Sequence, residues 1–192
     1  KNVVLTGLTS FFTDISSEML YPILQVFVSV ITVNVGPVLG LMEGIGESLS
    51  SVLKVLSGYY SDKLGKRKWL AVFGYFGSAL SKLFLFVPSV FSVLSFRFID
   101  RTGKGIRTAP RDAIISESIP KTLLGKAFGF QRGMDFAGAF FGTALLYILV
   151  KYVYPEIGDV IYKGVSAPVS VFYPIFIIAV CSALAGASFL FF

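Results

Sequence analysis

Residues 58–68, GYYSDKLGKRK, lie between two runs of mostly apolar residues that are each long enough to cross a lipid bilayer. Gly58, Asp62, Gly65, Lys66, Arg67 and Lys68 form a compact cluster of glycine, carboxylate and base in a loop too short to travel. Such a loop belongs at a membrane surface, and its bases place it on the cytoplasmic side. The rest of the chain fits that setting. Of its 192 residues 55% are hydrophobic, 16% aromatic and 15% charged, with a mean hydropathy of +0.78, whereas soluble domains hold about 45–50% apolar and about 25% charged residues.

Composition excludes several chemistries. Histidine is absent and Cys181 is the single cysteine, which argues against a haem site, His-ligated zinc, a Ser-His-Asp hydrolase and an internal disulfide. No cofactor or metal site is implied, and Cys181, inside an apolar run, reads as a packing residue. The net charge of +6 arises largely in short loops beside apolar segments, so cytoplasmic placement accounts for it without nucleic acid. The first apolar segment carries Asp14 and Glu18 and lacks the basic start and small-residue cleavage site of a signal peptide. Opening at Lys1 and stopping at Phe192 inside an apolar run, the chain reads as a piece of something longer.

A spanning helix needs about 20 residues, and six segments qualify, at roughly 3–33, 38–61, 69–88, 91–117, 124–150 and 168–192. The breaks between them carry turn chemistry, from Asn34 to Pro37, Ser61 to Lys68, at Pro88-Ser89 and Pro120-Lys121, and from Tyr154 to Pro168. Loops two and four hold Lys63, Lys66, Arg67, Lys68, Lys121 and Lys126, while loop five has only Lys163 beyond Lys151. Basic loops inside give two cytoplasmic ends. Gly36, Gly40 and Gly44 recur every fourth residue, as do Gly138 and Gly142, a spacing that lets helix backbones approach closely in lipid.

Charges at bilayer depth cost at least about 2.5–3.5 kcal/mol each on insertion scales, so they must face protein or water. At 100° per residue, Arg97, Asp100, Arg101, Lys104, Arg107, Arg111 and Asp112 share one face roughly 140° wide on the fourth segment. On the first, Asp14, Glu18, Tyr21 and Gln25 form a narrow stripe; the second carries Glu43, Glu47 and Lys54, and the fifth Arg132 and Asp135. These stripes are expected to converge on an interior cavity, each sign offsetting the other's desolvation. The bland alternative is ion pairs that pin helices together, with Arg107, Arg111 and Asp112 at the cytoplasmic surface. Lys82, alone on the third segment, either reaches a carboxylate or touches ligand. TGKG at 102–105 lacks the spacing of a phosphate loop, and no nucleophile, metal set or cofactor loop accompanies the paired acids, so an enzyme is not expected.

These residues resemble the amino-terminal half of a major facilitator superfamily transporter, over essentially the whole chain. The family's loop between helices two and three carries G-x-x-x-D-[RK]-x-G-[RK]-[RK], matched in order by Gly58, Asp62, Lys63, Gly65, Lys66 and Arg67. RFIDRTGKG is similar to its fourth-helix signature through Arg97, Gly103 and Gly105, but Asp100 and Arg101 stand where glutamine and glycine are commoner. GMDFAGAFFG lacks the fifth-helix proline of drug antiporters, which weakens a proton-driven drug exporter. The resemblance implies an all-α membrane fold of two three-helix repeats, half of a twelve-helix protein whose carboxy-terminal bundle lies outside this chain. It further implies a solute site near the midplane between the bundles. In the loop, Gly58 would admit a helix of the other bundle, Asp62 would meet that helix's positive end and Gly65 would permit the turn. Lys66 and Arg67 would add ionic contacts, the cluster latching the outward-open state.

The resulting expectation is a multi-pass protein of the plasma (inner) membrane, a secondary active transporter, symporter or antiporter, for a small polar or charged solute. The coupling ion is a proton or another cation, taken by Asp14 or Glu18, whose proton affinity responds to burial and to Arg97 or Arg101. Basic crowding on helix four gives a slight lean to an anion. The rival reading is a non-transporting six-helix receptor or scaffold whose charges only specify packing. A channel is disfavoured, because the charges form no ring of one sign.

Overall fold

In a computed structural model of the chain the described residues are 1–163 and 168–191, without the side chains of Tyr162 and Lys163, and they form helices with no strand among them. The elements are α1 (Asn2–Ile31), α2 (Val35–Leu64), α3 (Arg67–Ser81), α4 (Val90–Glu117), α5 (Leu124–Ile148), α6 (Pro155–Lys163) and α7 (Tyr173–Ser188). Tight turns extend several of them: Lys82–Phe86 follows α3, Leu149–Val153 follows α5 as a π-helical turn, and Val169–Phe172 leads into α7. The stretch expected as a loop from Tyr154 to Pro168 contains α6. Residues 164–167, the Lys163 side chain expected there as a loop base, and Phe192 at the end of the last expected segment lie outside the described residues.

Local chemistry sets the boundaries. Pro37 falls in the first turn of α2, where its missing N–H goes unneeded. Gly65 ends that helix at φ 63°, the left-handed cap glycine adopts without strain, and its N–H donates to the Ser61 carbonyl at 3.1 Å. Pro110 sits inside α4 without ending it.

Four segments, Asn2–Ile31, Arg67–Phe86, Lys121–Val153 and Val169–Phe191, are long and apolar enough to cross a bilayer. All six were expected to qualify. α2 and α4 are as long, at 30 and 28 residues, but their charged side chains and glycines dilute them below that apolarity.

The main seams join α2 to α4, α3 to α4, α1 to α5 and α1 to α7, and α3 also meets α7. Apart from α3 and α4, consecutive helices touch little. In lipid the hydrophobic effect does not drive helices together, so close van der Waals contact between small residues and interhelical hydrogen bonds must do it. A β-carbon added to Gly142 would lie 2.6 Å from the Ile15 carbonyl oxygen, and one on Gly138 2.6 Å from that of Phe11. By contrast, Gly36, Gly40 and Gly44 meet nothing within 4 Å. Their expected packing role is not met within these helices, because that face of α2 points away from them.

Polarity divides the interior. Met19, Leu20, Ile23, Leu24 and Phe27 of α1 pack with Phe172 and Phe176 in an apolar cluster, with Phe27 edge-on to both of the other rings. The preceding half of α1 buries Thr6, Thr9, Ser10, Thr13 and Ser16 instead. Ser16 donates to the Ala179 carbonyl at 2.6 Å and Ser182 to that of Phe12 at 2.9 Å, stitching α1 to α7. Cys181, read from sequence as a packing residue, is exposed on α7.

Candidate functional site

α1, α2, α4 and α5 surround a cavity of about 430 Å³ to which α3 contributes Tyr75. Asp14, Glu18, Lys54, Lys104, Arg132 and Asp135, predicted from their stripes, line it. So do Arg107 and Arg111, two bases that could equally have been surface structure. Both are buried, at 7% and 9% exposure.

The polar face divides into three groups. Nearest the 58–68 loop, Arg111 donates to Asp112 (3.1 Å) and to the Ser10 hydroxyl (2.9 Å), and lies 3.7 Å from Asp135. Gln131 donates to Ser10 at 2.7 Å and to Asp135 at 3.0 Å, Tyr75 meets the same hydroxyl at 3.1 Å, and Arg132 reaches Asp135 at 3.4 Å. This network ties α1, α3, α4 and α5 together. Toward the far end, Arg97 donates to both Glu43 oxygens at 2.7 Å with its guanidinium 5.6 Å from the Tyr21 ring centre, and Arg101 pairs with Glu47 at 2.8 Å. These pairs bind α2 to α4 and do not line the cavity, nor do Tyr21 and Gln25, both exposed on α1.

Between the two groups lie Asp14, Glu18, Lys54, Lys104 and Arg107, which form no ion pair within 4 Å among the described residues. Lys104, Arg107 and Arg111 are near enough for their charge to act on Asp14. Asp100, expected in the cavity, is instead buried at 6% exposure, accepting a hydrogen bond from Ser78 with Lys82 and Arg107 nearby. Lys82 is 1% exposed. It does not line the cavity and forms no ion pair within 4 Å among the described residues, although Asp100 is near.

The 58–68 stretch, expected as a loop, is the end of α2, Gly65-Lys66 and the start of α3, and there Arg67 bridges Asp62 at 2.9 Å and Glu117 at the end of α4. Asp62 and Lys66 are exposed, and Gly58 is half-buried with room for a methyl at 3.5 Å from Ala109.

A family model described as the Major Facilitator Superfamily matches residues 6–192. The chain belongs to the major facilitator superfamily. It is 48% identical to an uncharacterized MFS-type transporter of Methanocaldococcus jannaschii over 163 residues, 84% of this chain and 40% of the relative. Uncharacterized proteins of Mycobacterium bovis and Mycobacterium tuberculosis are 26% identical over 138 residues, 69% of this chain and 34% of theirs. The chain thus spans less than half the length of these relatives. No solved structure matches it significantly. Superfamily membership and the four apolar spans make it an integral membrane protein.

Within this superfamily member, sequence reasoning missed Ser10, Gln131, Tyr75 and Glu117. Ser10 lies four residues before Asp14 and Gln131 four before Asp135, so each extends a polar stripe already marked. Glu117 and Tyr75 carried no comparable signal, since their partners come from other helices.

Proposed function

We propose that the chain is part of a secondary active transporter that moves a small polar or charged solute by alternating access, with a slight lean to an anion. The observation that carries this reading is the cavity in which Asp14, Glu18, Lys54, Lys104 and Arg107 form no ion pair among the described residues, between two groups of ion-paired side chains. On the same helix face Arg97 and Arg101 are matched by Glu43 and Glu47, whereas the cavity's own charges are not. Unpaired charges at bilayer depth are costly, and a water-filled solute path accounts for them. Asp14 or Glu18 takes the coupling proton or other cation.

The set of helix seams supports two three-helix repeats. Exchanging α1 with α4, α2 with α5 and α3 with α7 turns the α2–α4 seam into α5–α1 and the α3–α4 seam into α7–α1. The open glycine face of α2, on Gly40 and Gly44, supports a carboxy-terminal bundle closing over it. Nothing inside this bundle requires glycine at position 58, which supports a contact there with a helix of that second bundle, latched by Asp62, Gly65, Lys66 and Arg67. Lys63, Lys66, Lys68, Lys121 and Lys126, in or within one turn of the α2–α3 and α4–α5 connections, support a cytoplasmic position in a plasma or inner membrane for those connections and for both ends of this segment.

The test is gradient-driven flux by the full-length protein in proteoliposomes. Asp14→Asn combined with Glu18→Gln should abolish it while the protein stays folded and monodisperse. Unchanged flux removes the two acids from coupling, and no flux of any solute by the unaltered protein favours the scaffold.

A further inference from the structure

We propose that Arg107, Lys104 and Lys54 form the subsite for the solute's anionic group, an oxyanion of the carboxylate or phosphate class; this assignment rests on the transporter reading above. Arg107 is more than nine-tenths buried yet lines the cavity, and its guanidinium carbon lies 4.4 Å from the centre of the Tyr75 ring. Its Nη1 is buried without a hydrogen-bond partner among the described residues. A buried guanidinium N–H without an acceptor is destabilising, and an acceptor entering the cavity removes that penalty.

The neighbouring acids do not supply one. Asp100 accepts from Ser78, and Asp14, though its charge is felt by Arg107, makes no hydrogen bond with it. Lys104 projects from α4 one turn before Arg107, and Lys54 reaches the same cavity from α2.

Five bases and three carboxylates line the cavity. Of the carboxylates, Asp135 is already engaged by Gln131, Arg132 and Arg111. Of the bases, Arg111 and Arg132 have partners, so the uncompensated positive charge concentrates on Lys54, Lys104 and Arg107. A planar guanidinium held over a tyrosine ring presents a fork of donors suited to an oxyanion with two or more acceptor oxygens, while the two ammonium groups act as point charges. A cationic solute at Asp14 and Glu18 would share the cavity with these three bases.

The experiment measures thermal stabilisation of the full-length protein in detergent by sodium phosphate, sulfate and succinate, each at the same ionic strength as a chloride reference. A short-chain phosphatidic acid is run beside them. Stabilisation by at least one of the three free oxyanions is expected. Arg107→Gln and Lys104→Gln should each weaken it about ten- to a hundredfold in apparent Kd, with Arg107→Lys intermediate and Lys121→Gln, on an exposed loop, without effect. Lys104 is exposed, so its variant tests the subsite even where Arg107→Gln fails to fold. No stabilisation by any oxyanion, stabilisation that survives both variants, or stabilisation by phosphatidic acid alone overturns the assignment. Flux separates the two proposals: transport of a cation or neutral solute that is insensitive to Lys104→Gln sinks the subsite and leaves the transporter, whereas specific oxyanion binding without flux of any solute does the reverse.

Discussion

Gly138→Ala and Gly142→Ala test how tightly the α1–α5 seam holds the cavity. The carbon added at 142 would lie 2.6, 2.9 and 3.1 Å from the carbonyl oxygen, Cα and carbonyl carbon of Ile15, and the one at 138 2.6 Å from the Phe11 oxygen and 3.0 Å from the Asp14 Cβ. Ordinary contact begins near 3.4 Å, so the two helices must part by about 0.8 Å, because backbone atoms cannot rotate aside. A gap of about that size forfeits roughly a quarter to a half of the dispersion attraction along the affected contacts, and the usual cost of overpacking is about 1–3 kcal/mol. In a cooperative unit of about 150–250 residues that lowers the melting midpoint by about 2–12 °C, and by less in a larger one. Gly129→Ala, on the same helix with nothing within 4 Å, is the control and should be neutral. Thermal unfolding of the full-length protein in one detergent checks the comparison. Gly138→Ala should in addition impair transport beyond its effect on stability, since the added methyl presses on the Cβ of Asp14, which lines the cavity. Midpoints for Gly138→Ala and Gly142→Ala that match Gly129→Ala would refute the close-packed seam.

Two ion pairs should respond very differently. Arg97→Gln leaves a half-buried Glu43 without its donor and should cost about 1–3 kcal/mol, and in a double-mutant cycle Arg97→Gln with Glu43→Gln should show a coupling of about 0.5–3 kcal/mol; an additive cycle would show that the pair does not bind α2 to α4. Glu117→Gln removes an exposed partner of Arg67 and should change stability by less than about 1 kcal/mol, while cysteine-labelling rates on the two sides of the membrane should shift if this bridge supports the latch. Equal labelling with and without Glu117 would detach α4 from it.

Much of the site is local periodicity, and periodicity is written in sequence. Asp14 and Glu18 one turn apart, the α4 run from Arg97 to Arg111, and the loop carrying Gly65 could be read because each depends on neighbours three or four residues away or on one backbone angle. The partners of those residues could not. That Arg97 is matched by Glu43 while Arg107 has no carboxylate within 4 Å among the described residues, that Asp100 turns toward Ser78 rather than the cavity, and that Arg67 reaches Glu117 are all settled between helices.

The amino-acid order thus determines that long helices alternate with short breaks, that bases gather at the second and fourth of these, and which face of each helix is polar, since bilayer thickness and the 3.6-residue turn leave few other solutions. Which polar faces meet, and which charges stay unmatched when they do, was decided by the close approach of Gly138 and Gly142 to α1 and of Gly105 to Ser50 on α2. Those backbone contacts fix the rotation of each helix about its axis to within a side chain's width, and a helix read alone carries no record of that angle.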